Sequence, residues 1–267
     1  MNSNSQPIKL FLVVAFSCTS LLASLSPVLA KPTPNRSDAK TILAQAKTFN
    51  QPPIPAGSPP GGRVRGGAKR TGPEGCPLTK IDLTALVPFT QEANSVINVW
   101  GQTTVEHPSW FFYVPYTKDS PYTVEFVLQD PDANEVYKKA IALSDKPGVI
   151  RVSLPSNAPG LAVDKQYRWF FTINCDKEKN SPPTFVEGVI KRVNLSQATV
   201  KEIETAEPIK RYAIYAQNGI WYEALTTLAE LRQKNPQDAA LKAEWRNLLG
   251  SIRLDDVAGE PILSGTP

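Results

Sequence analysis

The chain has 267 residues, a formal net charge of +4, one histidine and three cysteines. A single histidine does not suit the familiar zinc sites, which combine several His and Cys ligands. The sequence also has no Gly-rich phosphate loop and no dinucleotide-binding fingerprint. The composition therefore points away from zinc-, nucleotide- and dinucleotide-dependent enzymes, and we expect no cofactor.

Residues 1–30 predict a cleaved secretory signal. Lys9 is the one charged residue before position 31, an apolar run covers residues 10–23, and Ala30 precedes Lys31. A basic start, an apolar middle and small residues at the end are typical of such signals. The alternative, a membrane anchor, needs about 20 apolar residues. We expect an exported protein, periplasmic or extracellular, with no transmembrane span after signal cleavage.

Two cysteines, Cys76 and Cys175, remain once the signal is removed. Thiols pair in the oxidising compartments to which exported proteins travel, so the sequence predicts a disulfide between them. In a simple chain-entropy treatment, closing a loop of about 100 residues stabilises the fold by about 4 to 5 kcal/mol. The alternative, a metal held by the two thiols, lacks further ligands.

Residues 31–75 are expected to form a disordered, Pro/Gly-rich basic linker. They contain eight prolines and seven glycines, and eight basic against two acidic side chains give +6. Such a segment buries too little apolar surface to offset its ordering entropy. Its summed charge would attract an anionic glycan, whereas an exported protein is not expected to bind nucleic acid.

Residues 76–195 predict a β-sandwich domain, because short apolar runs alternate with turn clusters every eight to twelve residues. The candidate strands are Leu83–Val87, Val96–Trp100, Ser109–Val114, Thr123–Gln129, Val136–Leu143, Gly148–Leu154, Gln166–Cys175 and Thr184–Val193.

Alternation is clearest near Tyr167, where Trp169 and Phe171 share its face of the strand and predict the core side. Leu161, six residues before Tyr167, resembles the tyrosine corner of immunoglobulin-like Greek-key sandwiches, although Trp169 stands where antibody domains have cysteine. We therefore expect a mainly β protein with an immunoglobulin-like sandwich and an α-helical C-terminal segment.

The aromatic stretch HPSWFFYVPY leaves two alternatives. Rings lie on both faces of the predicted strand, so it is either covered on both sides, with the C-terminal helices as the second cover, or it is a binding platform. The platform would place His107, Trp110 and Tyr113 on a surface. A lone histidine before proline is otherwise a structural residue at a strand entry.

Residues 196–267 predict helices, with Ser196 as a cap for the first. The spacing of Gly219, Ala224 and Pro236 resembles one tetratricopeptide-type helical hairpin. One such unit cannot bury its own faces, so it should pack on the sandwich or on a partner protein. In the second case Tyr215, Trp221 and Tyr222 would belong to the binding surface.

Catalytic and metal-binding patterns are weak. Asp130, Asp132 and Asn134 match the start of a calcium loop, but Glu135 stands where that loop needs glycine, so a turn is favoured. No G-x-S-x-G elbow occurs, and no pair of carboxylates stands out for glycoside hydrolysis. We therefore identify no catalytic residue and expect a non-enzymatic protein.

Several segments are similar to a family of exported cyanobacterial proteins known as domain of unknown function 928. The resemblance extends over residues 70–262 and is carried by RTGPEGC (70–76), LTALVP (83–88), HPSWFFYVPY (107–116), EFVLQD (125–130), YRWFF (167–171), CD (175–176), VEG (186–188) and GIWYEALTTLAEL (219–231). It implies a cyanobacterial origin and an envelope or extracellular location, and it brings no activity with it.

The functional expectation is an interaction module that binds another envelope protein. It rests on a single helical hairpin beside aromatic strands, without a catalytic set. The alternative is a polysaccharide- or peptidoglycan-binding sandwich that uses aromatic side chains and the basic residues of 31–75.

Overall fold

A computed structural model describes residues 49–54, 60–66, 76–92, 96–176 and 181–263. Within these ranges the chain is mainly β, with nine strands in two sheets followed by four α-helices. No helix of the described ranges has the length and apolar character needed to cross a membrane. The predicted signal, residues 1–30, lies outside the described residues.

Each of the eight predicted segments overlaps a strand, and one further strand, β2, was not predicted because its three residues carry no alternation. The strands are β1 (Thr84–Ala85), β2 (Phe89–Gln91), β3 (Ile97–Thr103), β4 (Ser109–Val114), β5 (Thr123–Gln129), β6 (Glu135–Ile141), β7 (Gly148–Ser153), β8 (Gln166–Asn174) and β9 (Thr184–Arg192).

The strands form a three-stranded sheet in the order β1-β4-β7 and a six-stranded sheet in the order β2-β3-β9-β8-β5-β6. All pairs are antiparallel except β3 with β9. As predicted, alternate residues of β8 are buried, from Tyr167 to Ile173. Between the sheets, Phe112 of β4 stacks on Phe171 of β8 with ring centroids 4.3 Å apart.

The helices are α1 (Gln197–Thr205), α2 (Pro208–Gln217), α3 (Trp221–Lys234) and α4 (Ala239–Gly250), followed by a short 3₁₀ helix (Asp255–Val257). The Ser196 hydroxyl accepts a hydrogen bond from the amide of Thr199, which confirms the predicted cap of α1. Gly219 joins α2 to α3 with φ +73°, a conformation that favours glycine.

The helical segment packs beside the outer face of β4 in the three-stranded sheet, and α3 also contacts β3 of the six-stranded sheet. The indole Nε1 of Trp221 on α3 donates to the carbonyl of Leu86 at 2.8 Å. Arg151 of β7 forms an ion pair with Glu230 of α3 at 2.9 Å. Near the C-terminus, residues 261–263 hydrogen-bond to Val149 along the edge of β7. The helices therefore pack on the sandwich.

A disulfide joins Cys76 to Cys175, as the sequence predicts. It ties the segment that precedes β1 to the residue that follows β8, across 99 positions of sequence.

Two parts of the expected linker are ordered instead. We call residues 49–54 and 60–66 the N-terminal strap. Phe49 is buried and packs edge-on against Trp221 at 4.9 Å between centroids. Arg63 exchanges both backbone hydrogen bonds with Glu187 of β9, and Ala85 of β1 donates to the carbonyl of Val64. The rest of 31–75 lies outside the described residues.

The linker prediction fails here because composition measures apolar surface and overlooks backbone pairing. The strap carries little apolar bulk, yet its backbone pairs with β1 at the edge of the three-stranded sheet and with β9 of the six-stranded sheet. At Gly62 an added Cβ would approach the carbonyl oxygen of Glu187 to 2.8 Å, so glycine permits this close pairing. Both basic side chains of the strap are also engaged within the fold, Arg63 over the Phe185 ring and Arg65 with Asp256.

The strap is expected to contribute to stability. Phe49→Ala should lower the free energy of unfolding by on the order of 3 kcal/mol, because it removes a buried ring from its contact with Trp221. Urea unfolding followed by tryptophan fluorescence measures this change. The matched control is Pro53→Ala, at an exposed position of the same segment. Equal unfolding midpoints for the two variants would contradict a structural role for the strap.

Candidate functional site

Strand β4, the centre of HPSWFFYVPY, is buried along its whole length. Its inner face packs into the sandwich, where Trp110 lies 4.9 Å from the ring of Phe126. On its outer face Phe111 lies beside Arg151, the side chain that α3 holds through Glu230. The covered-strand interpretation is confirmed, and the binding platform is wrong for this strand.

Four of the six aromatic and histidine residues proposed as a binding surface are inside the protein. Trp110, Tyr113, Trp221 and Tyr222 are each at most 6% exposed. The physical reason is that α3 packs against both sheets. Tyr222 lies against Trp110 of β4 at 5.9 Å and beside Gly101 of β3, and the Trp221 indole donates to the carbonyl of Leu86 next to β1. These residues are therefore part of the packing between helices and sandwich.

The remaining two, His107 and Tyr215, meet at an open cleft of about 180 Å³, which we call the junction cleft. The loop between β3 and β4 forms one wall, and α2 and α3 form the other. The residues that line it are Val105, His107, Pro108, Ser109, Arg151, Arg211, Tyr215, Glu223, Thr226 and Thr227.

His107 helps to shape the loop wall of the cleft. Its Nε2 lies 3.0 Å from the carbonyl oxygen of Ala158, in the connection between β7 and β8. A ring nitrogen at this distance from a carbonyl donates its proton, so Nε2 carries the hydrogen. This bond ties the loop before β4 to a second loop of the sandwich.

Arg151 is held on two sides at the cleft wall. Its Nε donates to the hydroxyl of Ser109 at 2.9 Å and its Nη1 to Glu230 at 2.9 Å. Because two partners fix the guanidinium, it presents its charge to the cleft in one orientation.

Arg211 and Tyr215 line the helical wall one turn apart on α2. The Nη2 of Arg211 donates to the carbonyl of Ala206 at 3.3 Å, while its Nε is buried and has no hydrogen-bond partner among the described residues. Burial raises the pKa of the Tyr215 hydroxyl, the nearby Glu223 raises it further, and Arg211 lowers it. The hydroxyl therefore lies within the field of both charged groups.

Glu223 is a buried carboxyl in the cleft, only 8% exposed. It stands in the first turn of α3, where the helix dipole favours a negative group. The Thr103 hydroxyl donates to its Oε1, and the Thr104 amide donates to its Oε2 at 3.3 Å. Burial nevertheless raises the pKa of Glu223 to about 7, against the lowering effect of these hydrogen bonds. Near neutral pH it can both hold and release a proton.

Sequence reasoning missed Glu223, Arg151 and Arg211. The signal for Glu223 was its place within IWYEAL, where a charged residue interrupts the apolar start of a helix. No comparable signal marked the two arginines, because their meeting depends on how α2 docks beside β7.

The weak calcium candidate is a turn. The carboxylate of Asp130 accepts hydrogen bonds from the amides of Asp132 and Asn134, both at 2.9 Å, and from the Asn134 side chain at 3.0 Å. These bonds lower the pKa of Asp130. No group of three His, Cys, Asp or Glu side chains that could hold a metal occurs in the part of the chain that the structure describes.

The buried carboxyl should make stability depend on pH. Glu223 binds its proton more tightly in the folded chain, with a pKa of about 7, than at its ordinary value of 4.5. This preference gives about 3 kcal/mol of stability, present in full below about pH 4.5 and lost as the pH rises to about 7. Glu223→Gln should remove this dependence of the unfolding free energy on pH, as measured by urea unfolding between pH 5 and 8.

The matched control for this measurement is Glu204→Gln, at an exposed position of α1, which should keep the slope of the unaltered chain. A slope that survives Glu223→Gln would contradict the assignment.

Comparison with known proteins identifies a family and a weak structural similarity. No curated protein matches the chain. Two crystal structures of the β-glucuronidase of Parabacteroides merdae, one with glycerol in its active site, match at 10% and 9% identity with TM-scores of 0.24 and 0.21. The matches cover 68% and 64% of this chain, which spans only 29% and 27% of those enzyme chains. The family model described as Domain of Unknown Function (DUF928) matches residues 65–262. Since that match covers most of the sequence, the chain belongs to the DUF928 family.

Proposed function

We propose that this protein is an exported, non-enzymatic interaction module of a cyanobacterial envelope that docks another envelope protein at the junction cleft. The observation that carries the proposal is the cleft itself, an opening at the seam of sandwich and helices with hydrogen-bonding side chains on both walls. Val105, 39% exposed, adds an apolar residue to it.

The size of the cleft favours docking over the binding of a free metabolite. Pockets for cofactors and drug-sized ligands hold about 300 to 1,000 Å³, whereas this cleft holds about 180 Å³. A space of that size suits one side chain of a partner, and interfaces commonly anchor a single side chain in a pocket surrounded by weaker contacts.

Export is supported by two observations of different kinds. The Cys76–Cys175 disulfide is a bond that persists in oxidising compartments. Residues 1–30 have the charge and hydropathy pattern of a secretory signal. The envelope location and the cyanobacterial origin follow from the resemblance to the exported family.

The finer fold assignment belongs to the same proposal: we infer an immunoglobulin-like Greek key. The neighbours β9-β8-β5-β6 would correspond to strands G, F, C and C′ of a variable-type domain, and the pair β4-β7 to strands B and E. A tyrosine corner is supported by the hydrogen bond from the Ala162 amide to the Tyr167 hydroxyl, 3.0 Å long at the start of β8.

We likewise infer that α2 and α3 form a single tetratricopeptide-like hairpin. Gly219 stands at their connection, and Ala224 is fully buried, as close helix approach requires. A lone unit of this kind normally stacks on further repeats. Here one of its faces packs on the sandwich, and its side chains Arg211 and Tyr215 contribute to the cleft.

Polysaccharide binding is the second candidate. One observation favours it: a depression of about 580 Å³ lies at the ends of β5 and β8, among Asp130, Lys165 and Arg168. Sugars, however, usually stack on exposed aromatic rings, and every Phe, Tyr and Trp in the described ranges is buried or half-buried. The junction cleft is therefore the better supported site.

Docking at the cleft can be tested by photo-crosslinking in the cell. A photoreactive amino acid at Thr227, half-buried in the cleft, should capture one protein partner, and the crosslinked band should disappear on protease treatment. The matched control is the same amino acid at Lys242, exposed on α4 and outside the cleft lining. The same bands from both positions would contradict docking at the cleft, and a protease-resistant, glycan-linked product would favour the second candidate.

A further inference from the structure

We propose that the junction cleft holds a carboxylate group of the docking partner, an Asp or Glu side chain, between Arg211 and Tyr215, and that its binding is coupled to protonation of Glu223. The inference rests on the proposed function and names the chemistry by which the cleft recognises its partner.

The first observation is an unsatisfied donor. The Nε–H of Arg211 is buried and has no hydrogen-bond partner among the described residues, while its Nη2 is anchored to Ala206. Buried N–H groups without an acceptor are rare and costly. A small rotation of the guanidinium toward a carboxylate in the cleft would give this N–H an acceptor and remove that cost, and a carboxylate is the planar anion that the guanidinium fork fits best.

The second observation is the balance of charge. Arg151 and Arg211 of the lining are cationic, Glu223 is acidic, and Glu230 pairs with Arg151. The formal charge of these four groups is 0 with Glu223 ionised and +1 with it neutral, so the cleft is positive when Glu223 holds its proton. The hydroxyl of Tyr215 lies within the field of Arg211 and offers a further donor. An anion is therefore the charged group that this cleft attracts.

The third observation is room. At about 30 Å³ for each water molecule, a cleft of about 180 Å³ takes the volume of about six waters. That space suits a carboxylate on a short aliphatic stem and is small for a sugar ring with its substituents.

The proton linkage follows from the neighbours of Glu223. Thr103 and Thr104 hydrogen-bond to it from β3 and the loop that follows. The same cleft is lined by Arg211 and Tyr215 of α2, by Arg151 of β7 and by His107 of the loop before β4, and Glu230 of the same helix pairs with Arg151. An incoming carboxylate is repelled by ionised Glu223 and tolerated by its protonated form. Binding should therefore take up a proton and weaken as the pH rises through the pKa of Glu223, about 7.

The test is an NMR titration of the purified chain with a blocked Ala-Glu-Ala peptide and its Ala-Gln-Ala counterpart, following the Nε–H resonance of Arg211. At pH 6 the Glu peptide should bind at least tenfold more tightly than the Gln peptide, because an ionic pair is lost in the latter. Between pH 6 and pH 8 its affinity should fall about tenfold by proton linkage.

Variants separate the roles of the residues. Arg211→Gln should weaken binding of the Glu peptide at least tenfold, while Arg246→Gln, at an exposed position of α4, should leave its affinity unchanged. Glu223→Gln should abolish the pH dependence, and His107→Gln, at another residue of the cleft lining, should retain it. Near-UV circular dichroism of each variant reports its packing.

Equal binding of the two peptides, or equal effects of Arg211→Gln and Arg246→Gln, would overturn the inference. A pH dependence unchanged by Glu223→Gln would overturn the proton linkage. If a galacturonate trimer bound more tightly than the Glu peptide and depended on Arg211, the carboxylate site would stand and the protein partner of the proposed function would fall. A crosslink from Thr227 to a protein, together with no preference for the Glu peptide, would support the protein partner of the proposed function and overturn the carboxylate site.

Discussion

Strand β4 carries aromatic rings on both faces, and that constraint determines the layers of the molecule. Its inner rings need the six-stranded sheet, where Phe112 meets Phe171. Its outer face needs another cover, and the helical segment supplies it, bonded through Trp221 to the carbonyl of Leu86. Burial of a large apolar side chain stabilises a fold by about 1.5 to 3 kcal/mol. Without the helices the outer ring of Phe111 would be exposed to water and this stabilisation would be absent. The helical segment is therefore a layer of the same body as the sandwich.

The junction cleft is a consequence of this layering. Docking α3 on the outer face brings Glu223 against Thr103 and Thr104 at the end of β3. It also brings α2, with Arg211 and Tyr215, opposite the loop that precedes β4. A carboxyl whose pKa rises on burial and two arginines thus converge although none of them belongs to a local motif. The same packing that buries the aromatic residues creates the polar opening, and the N-terminal strap supports it by placing Phe49 against Trp221.

Local patterns in the sequence predict the strands, the cap at Ser196 and the Cys76–Cys175 bond, because alternation, capping and cysteine pairing depend on neighbouring residues or on compartment. They leave open whether β4 is covered on both faces or forms a binding platform, and the docked helices decide it. They fail for the strap, whose pairing with Glu187 uses backbone groups that every sequence has. The patterns also fail for the site. Trp221 and Tyr222 are residue types that are common on binding surfaces, and only the docking of α3 decides that they are buried. Arg211 and Arg151 are 60 positions apart in sequence, and a tertiary contact alone brings them to one cleft.

If the outer face of β4 requires its helical cover, helices and sandwich must unfold together. The direct measurement is a urea titration followed at once by far-UV circular dichroism at 222 nm, dominated by the helices, and by near-UV circular dichroism, which reports the packed rings of the sandwich. Coincident midpoints are the predicted result, since a single cooperative body loses both signals in one transition. Loss of the helical signal at a lower urea concentration, with the near-UV signal intact, would contradict the account.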